Sequence, residues 1–390
     1  MTQASPKDED WRAGGFGIYV HWPYCLAKCP YCDFNSHVAR VVDQEAMRAG
    51  LLAQLRAARE LTGPRVAGSL FFGGGTPSLM PPETAAAVIE EADRLWGFSS
   101  DAEITLEANP TSIEAGRFAG YAAGGVNRVS MGAQALNDAD LKRLGRMHTA
   151  AEARAAFDIA RAAFARVSFD LIYARQDQTP EAWEAELGEA LRMAIDHLSL
   201  YQLTVEPGTR FGELHDIGKL RGLPDDDRAA DMYAITQSLC EAAGMPAYEI
   251  SNHARPGAES RHNLVYWRGG DYAGVGAGAH GRVTAGGVRL ATETPRAPAA
   301  WLESAGRGAE GFSVEPISDE DRAVEYLMMS LRLAEGARLD RYARLAGAPL
   351  DESRIVDLED EGLVIRGQGR LIATERGRAL LNGVLRALLV

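Results

Sequence analysis

Six short apolar or alternating runs, each followed by a turn and a stretch of helical periodicity, constrain this chain more than any other feature. They are Ile18–His21, Ser69–Phe72, Glu103–Ala108, Asn127–Met131, Val167–Ile172 and His197–Leu203. Strands separated by helices pair in parallel, so the pattern predicts an α/β fold built from βα units. The first intervening helix is legible in detail. Met47, Leu51, Leu55, Ala58 and Leu61 recur every three or four residues, with Arg48, Gln54, Arg56 and Arg59 expected to face outward. Periodicity alone leaves a doubly wound sheet and an incomplete barrel both open. The placement of the unusual residues favours a partial (β/α)6 barrel, because a barrel gathers its strand C-termini into one mouth. Three cysteines follow the first strand, Gly73-Gly74-Gly75-Thr76-Pro77 follows the second and Glu107 ends the third; Gln134 follows the fourth and Asp170 lies in the fifth.

Around this barrel, expected over residues 16–205, the sequence predicts three further regions. Residues 1–15 are polar and read as a flexible tail. Residues 206–314 read as an irregular extension punctuated by Gly and Pro, including His262-Asn263-Leu264-Val265-Tyr266-Trp267 and the run Gly274–His280. Residues 315–390 read as a small winged-helix-like unit: helices 320–333, 339–345 and 352–361, a hairpin around Gly367-Gln368-Gly369, and a final helix 375–389. This unit has 11 Arg and no Lys against 14 Asp and Glu, and the whole chain carries a net charge of −13. Such a balance opposes nucleic-acid phosphates, so no nucleic-acid partner is expected. No apolar run approaches the roughly 20 residues of a membrane span, and the polar start Met1–Asp10 lacks a secretory core. A cytoplasmic protein without a transmembrane segment is the expectation.

Of the four cysteines, Cys25, Cys29 and Cys32 fall within eight residues and Cys240 stands alone. An odd, tight group argues against a disulfide framework and for thiolates that bind metal. Three thiolates can hold three irons of a cubane cluster and leave the fourth open. A structural zinc site is the other reading, and it needs a fourth ligand from elsewhere.

This Cys25-x-x-x-Cys29-x-x-Cys32 loop, with Tyr31 before its last cysteine, resembles the cluster loop of the radical S-adenosylmethionine (SAM) superfamily. The resemblance implies a [4Fe–4S] cluster whose open iron is chelated by SAM, and an electron donor that reduces it. It narrows to the oxygen-independent coproporphyrinogen oxidase family from about Ile18 through the C-terminal unit. On that resemblance Tyr19, Tyr31, Gly74, Gly75, Thr76, Glu107, Gln134, Arg146 and Asp170 are the expected cofactor-binding residues. The loop Tyr173-Ala174-Arg175-Gln176-Asp177 departs from the family's usual Gly-Leu-Pro run.

Two features divide the branches of that family. Its oxidases carry another cysteine two residues beyond the last cluster cysteine, and Phe34 occupies that position here. The segment His262–Trp267 is similar to the signature of the heme chaperone branch. That branch implies bound heme, handed to an acceptor protein, with His262, Tyr266 and Trp267 as candidate heme contacts. An imidazole can ligate heme iron and the two aromatics offer flat faces to a macrocycle. The alternatives are an oxygen-independent coproporphyrinogen oxidase and a zinc-stabilised scaffold.

Overall fold

The computed structural model describes residues 9–389, with the side chains of residues 112 and 113 left out of the description. All six expected strands are present. They are β1 (Phe16–Trp22), β2 (Ala67–Gly74), β3 (Phe98–Ala108), β4 (Arg128–Gln134), β5 (Arg166–Tyr173) and β6 (His197–Gln202), paired in parallel in that order. Helices cover the sheet from outside, which is why β1 is buried along nearly its whole length and its sequence is apolar rather than alternating. The first helix, Gln44–Thr62, starts where Asp43 accepts the Ala46 amide and stops at Gly63, whose φ is 66°. Met47, Leu51 and Leu55 are fully buried, as the periodicity requires. Gln54 does not face outward: its Oε1 accepts the Gly276 amide at 2.6 Å and the Trp301 indole at 2.8 Å. A second apolar face packs on the later helix Pro298–Ala305, and Gln54 satisfies polar groups trapped between them.

Residues 206–314 extend this sheet instead of forming an irregular unit. After β6 comes β7 (Asn252–Ala254), antiparallel to it at one edge. At the other edge β8 (Asp271–Gly276) runs parallel to β1 and is followed by antiparallel β9 (His280–Ala285), β10 (Val288–Glu293) and β11 (Ser313–Pro316). The glycines of β8 are dictated by close backbone approach. A Cβ on Gly274 would sit 1.9 Å from the His280 carbonyl oxygen, and one on Gly276 2.1 Å from that of His21.

The expectation of a flexible tail over residues 1–15 is corrected from Glu9 onward; residues 1–8 lie outside the described residues. Asp10–Ala13 form a turn of 3₁₀ helix, and the Arg65 guanidinium lies 4.2 Å above the Trp11 ring. The buried Asp10 carboxylate pairs with Arg341 at 2.8 Å and Arg322 at 3.2 Å. This segment therefore ties the barrel to the C-terminal unit, whose helices Asp319–Ser330, Leu339–Ala346 and Glu352–Asp360 and hairpin Val364–Ala373 follow the expected order around a core of their own. The final helix is broken in two, Glu375–Ala379 and Leu381–Leu389, with Leu380 exposed at the break.

The atypical loop after β5 has a cost that can be measured. Ala174 is buried with φ 57°, a left-handed conformation that a Cβ disfavours by roughly 1–2 kcal/mol. Ala174→Gly is expected to raise stability by about 1 kcal/mol in urea unfolding, because relief of that strain outweighs the added entropy of the unfolded chain.

Candidate functional site

The strand C-termini converge on one cavity of about 360 Å³. Its walls bring together Cys25, Cys29, Tyr31 and Cys32 with Gly74, Gly75, Thr76, Glu107, Gln134, Arg146 and Asp170. The cysteine loop is held from both sides. Thr76 donates to Cys25 Sγ at 3.3 Å, while Arg146 donates to Cys29 Sγ at 3.2 Å. Behind the loop, Asn35 donates to the carbonyls of Ala277 and Arg296, and a Cβ on Gly278 would reach within 2.3 Å of its amide. The glycine run after β8 thus serves to seat the cysteine loop.

The glycines after β2 have a reason other than ligand approach alone. Gly74 has φ 108°, and a Cβ there would lie 2.6 Å from the His21 ring; one on Gly75 would lie 2.7 Å from the Tyr24 carbonyl oxygen. The Gly75 and Thr76 amides donate to the carbonyls of Trp22 and Tyr24, docking this turn against the chain that leads into the cysteines. Gln134 ends β4 at an irregularity in the ladder with φ 68°, a conformation uncommon for a residue with a side chain and characteristic of functional sites.

Two partly buried carboxyls, Glu107 and Asp170, line the cavity close enough to repel each other. Burial and the neighbouring Asp170 push Glu107 up to about 8; burial pushes Asp170 up to about 6 against hydrogen bonds from Ser199 and Ser130. Arg146 is fixed by Asn109 Oδ1 at 2.5 Å and the Gly132 carbonyl at 2.9 Å, but its Nε has no partner. Asn109 and Ser130 are cavity residues that the sequence reading missed. Asn109 had a signal: it follows Glu107 by two residues at the same strand exit.

Because Glu107 protonates more readily when folded, its contribution to stability is full below about pH 4.5 and is lost as pH rises through about 8. Glu107→Gln is expected to flatten this decline in the ligand-free protein. Urea midpoints measured across that range test it, and a decline as steep as that of the wild type would contradict it.

Tyr19 is not in the cavity wall. It lies beneath, its hydroxyl 3.0 Å from His21 Nδ1 and its ring stacked with Phe71 and His262.

The expectation of an open imidazole beside two flat aromatic faces is also corrected. His262 is 2 % exposed and lies on the helix Arg261–Trp267, which closes the N-terminal end of the barrel, opposite the cysteines. Its Nδ1 is 2.9 Å from Ser69 Oγ and its Nε2 is 2.8 Å from Tyr266 Oη, so both nitrogens are occupied. Phe71 stacks on its face at 4.9 Å, and burial lowers its pKa to about 3. Trp267 packs near Tyr248 and Leu333 beneath the Arg332 guanidinium. Glu103 anchors the start of this helix by accepting from Ser260 Oγ and the Arg261 amide, so the motif is a plug tied into the barrel.

The residues of the cavity fit an iron–sulfur cluster. All three cysteines are free thiols, and a cluster needs ligands spread over its corners. Among the described residues no three His, Cys, Asp or Glu side chains are grouped around a single-ion position.

Comparison with known proteins agrees with this geometry. The family model for the radical SAM superfamily matches residues 19–189, and that for the HemN C-terminal domain matches residues 317–380. The heme chaperone HemW of Escherichia coli is 38% identical over 378 residues, covering 94% of this chain and 96% of the relative. The chain belongs to the HemW family. A mitochondrial radical S-adenosyl methionine domain-containing protein 1 from Bos taurus is 38% identical over 400 residues, with 99% of this chain and 89% of the relative covered. Among solved structures, the coproporphyrinogen III oxidase HemN of Escherichia coli superposes with a TM-score of 0.78 at 22% identity, covering 97% of this chain and 92% of that one. That likeness establishes the fold. As radical SAM proteins, HemW family members imply SAM and a [4Fe–4S] cluster as cofactors. No helix among the described residues is long and apolar enough to cross a membrane.

Proposed function

We propose that this protein binds heme and passes it to an acceptor protein in the cytoplasm, with a [4Fe–4S] cluster and SAM in its barrel cavity. The near-full-length match to proteins named heme chaperone carries this reading. Cys25, Cys29 and Cys32 would hold the cluster, with Gly74, Gly75, Thr76, Glu107, Gln134, Arg146 and Asp170 around SAM. When bound and reduced by an electron donor, this pair supplies one-electron cleavage of a carbon–sulfur bond. The chain's own part is to orient and shield. Arg146 places positive charge against the Cys29 sulfur, while Glu107 and Asp170 offer acceptors to a ligand's donors.

Phe34 supports the chaperone branch over the oxidase. It lines the cavity mouth and is 58% exposed, placing an apolar ring where the oxidase branch is expected to have a thiol. The test uses anaerobically reconstituted protein in two assays: titration with hemin, followed by absorbance, and incubation with coproporphyrinogen under reducing conditions with SAM. Stoichiometric hemin binding without decarboxylation is expected. Decarboxylation with turnover would overturn the reading in favour of an oxidase.

A further inference from the structure

The segment after Glu9, the plug helix Arg261–Trp267, β10 and the C-terminal unit meet around a small cavity of about 20 Å³, far from the cysteine loop in the fold. Asp10, Tyr266, Arg289, Arg322, Tyr326 and Arg341 line it, so each of these parts contributes a wall. Space of that size admits one water molecule or one ion of similar radius. Tyr266 also connects the cavity to the plug, since its hydroxyl lies 2.8 Å from His262 Nε2.

The buried charges at this junction do not balance. Asp271 is shared by Arg65 and Arg289, and Asp10 by Arg322 and Arg341. All six side chains are buried, so among the described residues the two triads set four guanidiniums against two carboxylates. Glu325, also on the wall, is paired with Arg282 at 3.0 Å and shifts the balance in neither direction. The triads act on each other: burial, with Arg289 and Arg341 beside it, holds Arg322 below the ordinary arginine range, against the opposing pull of Asp10 and Asp271. Arg322 is 4% exposed, and its Nη1 has no partner among the described residues. A buried donor of this kind needs an acceptor, and a buried surplus of charge needs a counter-charge. Water would meet the first need and leave the second.

We propose that this cavity binds one monovalent anion the size of chloride, held by Arg322 Nη1 between the guanidiniums of Arg289 and Arg341. Four cations less two carboxylates leave a surplus of two, and one anion removes one of them. The guanidiniums cannot relieve the surplus by losing protons, because arginine stays charged in proteins. The space is too small for a phosphate or a nucleotide, which limits the ligand to a halide or an anion of similar size. Bound there, the ion joins the segment after Glu9 and the C-terminal unit to the plug helix, so that anion binding and the docking of that unit stabilise each other.

The experiment follows urea unfolding of the full-length, cluster-loaded protein while chloride replaces isethionate at constant ionic strength. For a site with a dissociation constant of about 1 mM, raising chloride from about 1 to about 100 mM shifts the folding equilibrium roughly fiftyfold, read as a rise in the urea midpoint. Arg322→Gln removes the guanidinium that carries the unpartnered nitrogen and is expected to lose that rise. Wild-type crystals soaked in bromide give a readout that does not depend on the variant's folding, and an anomalous peak beside Arg322 is expected. A wild-type midpoint indifferent to chloride, a rise that Arg322→Gln keeps in full, or a cavity free of bromide would each overturn the proposal, leaving water as the occupant.

Discussion

Replacing Cys29 by serine is expected to leave the anaerobically reconstituted protein without its cluster, iron falling from about four atoms per chain to near zero. A serine hydroxyl stays protonated at neutral pH and is a poor soft-metal ligand, whereas a thiolate binds iron strongly. The three thiols are all needed, because each holds one corner. The loss should be specific to the cluster, since the loop's docking depends on Asn35, Thr76 and the turn after β2. Cys240→Ser is the matched control. Cys240 is wholly buried on the helix Asp226–Ala242, where burial pushes its thiol up to about 12, and its removal should leave iron content unchanged. Equal iron in the Cys29 variant and the wild type would contradict the assignment.

The largest effect on stability is expected at Asp271. Its carboxylate is completely buried at the start of β8 and accepts hydrogen bonds from Arg65, Arg289, the Thr284 amide and the Thr284 hydroxyl. Both arginine side chains are themselves buried, Arg65 stacked on the Trp11 ring and Arg289 against the Gly270 carbonyl. Asp271→Ala leaves two cations without their counter-charge in a medium where water cannot replace it. Breaking a buried pair costs about 3–5 kcal/mol, and the loss here touches two pairs. Urea unfolding should show at least that destabilisation. A change within about 1 kcal/mol would mean that water reaches these guanidiniums after all.

The parts of the fold that were legible in the sequence share one property. Where a strand is covered on both faces, as β1 is, apolar residues run nearly without interruption, and helices such as Gln44–Thr62 mark their inner face by spacing. Where backbone contact selects the residue, that signal disappears. Gly274 and Gly276 are fixed by carbonyls pressed against them, so β8 carried little hydrophobic signature and its place beside β1 was not legible.

The same distinction applies at the site. The cysteines, Glu107, Gln134 and Asp170 were legible because strand ends converge in a barrel, and chemistry-bearing residues at those ends meet. Nothing in the spacing of His262, Tyr266 and Trp267 tells which end of the barrel their helix closes. That is decided by Glu103, Ser69 and Phe71, residues distant in sequence that fix the helix end and enclose the imidazole. The polar tail from Glu9 was misread for a similar reason: Asp10 is ordered by Arg322 and Arg341, more than 300 residues away in sequence.

In the proposed function, the sulfurs of Cys25, Cys29 and Cys32 hold a cluster with one iron left open to SAM. The direct measurement is the electron paramagnetic resonance spectrum of the reduced, reconstituted protein before and after SAM is added. A cluster signal whose line shape shifts on addition is the predicted result. A protein that takes up no iron and sulfide, or a cluster signal that SAM leaves unaltered, would contradict it.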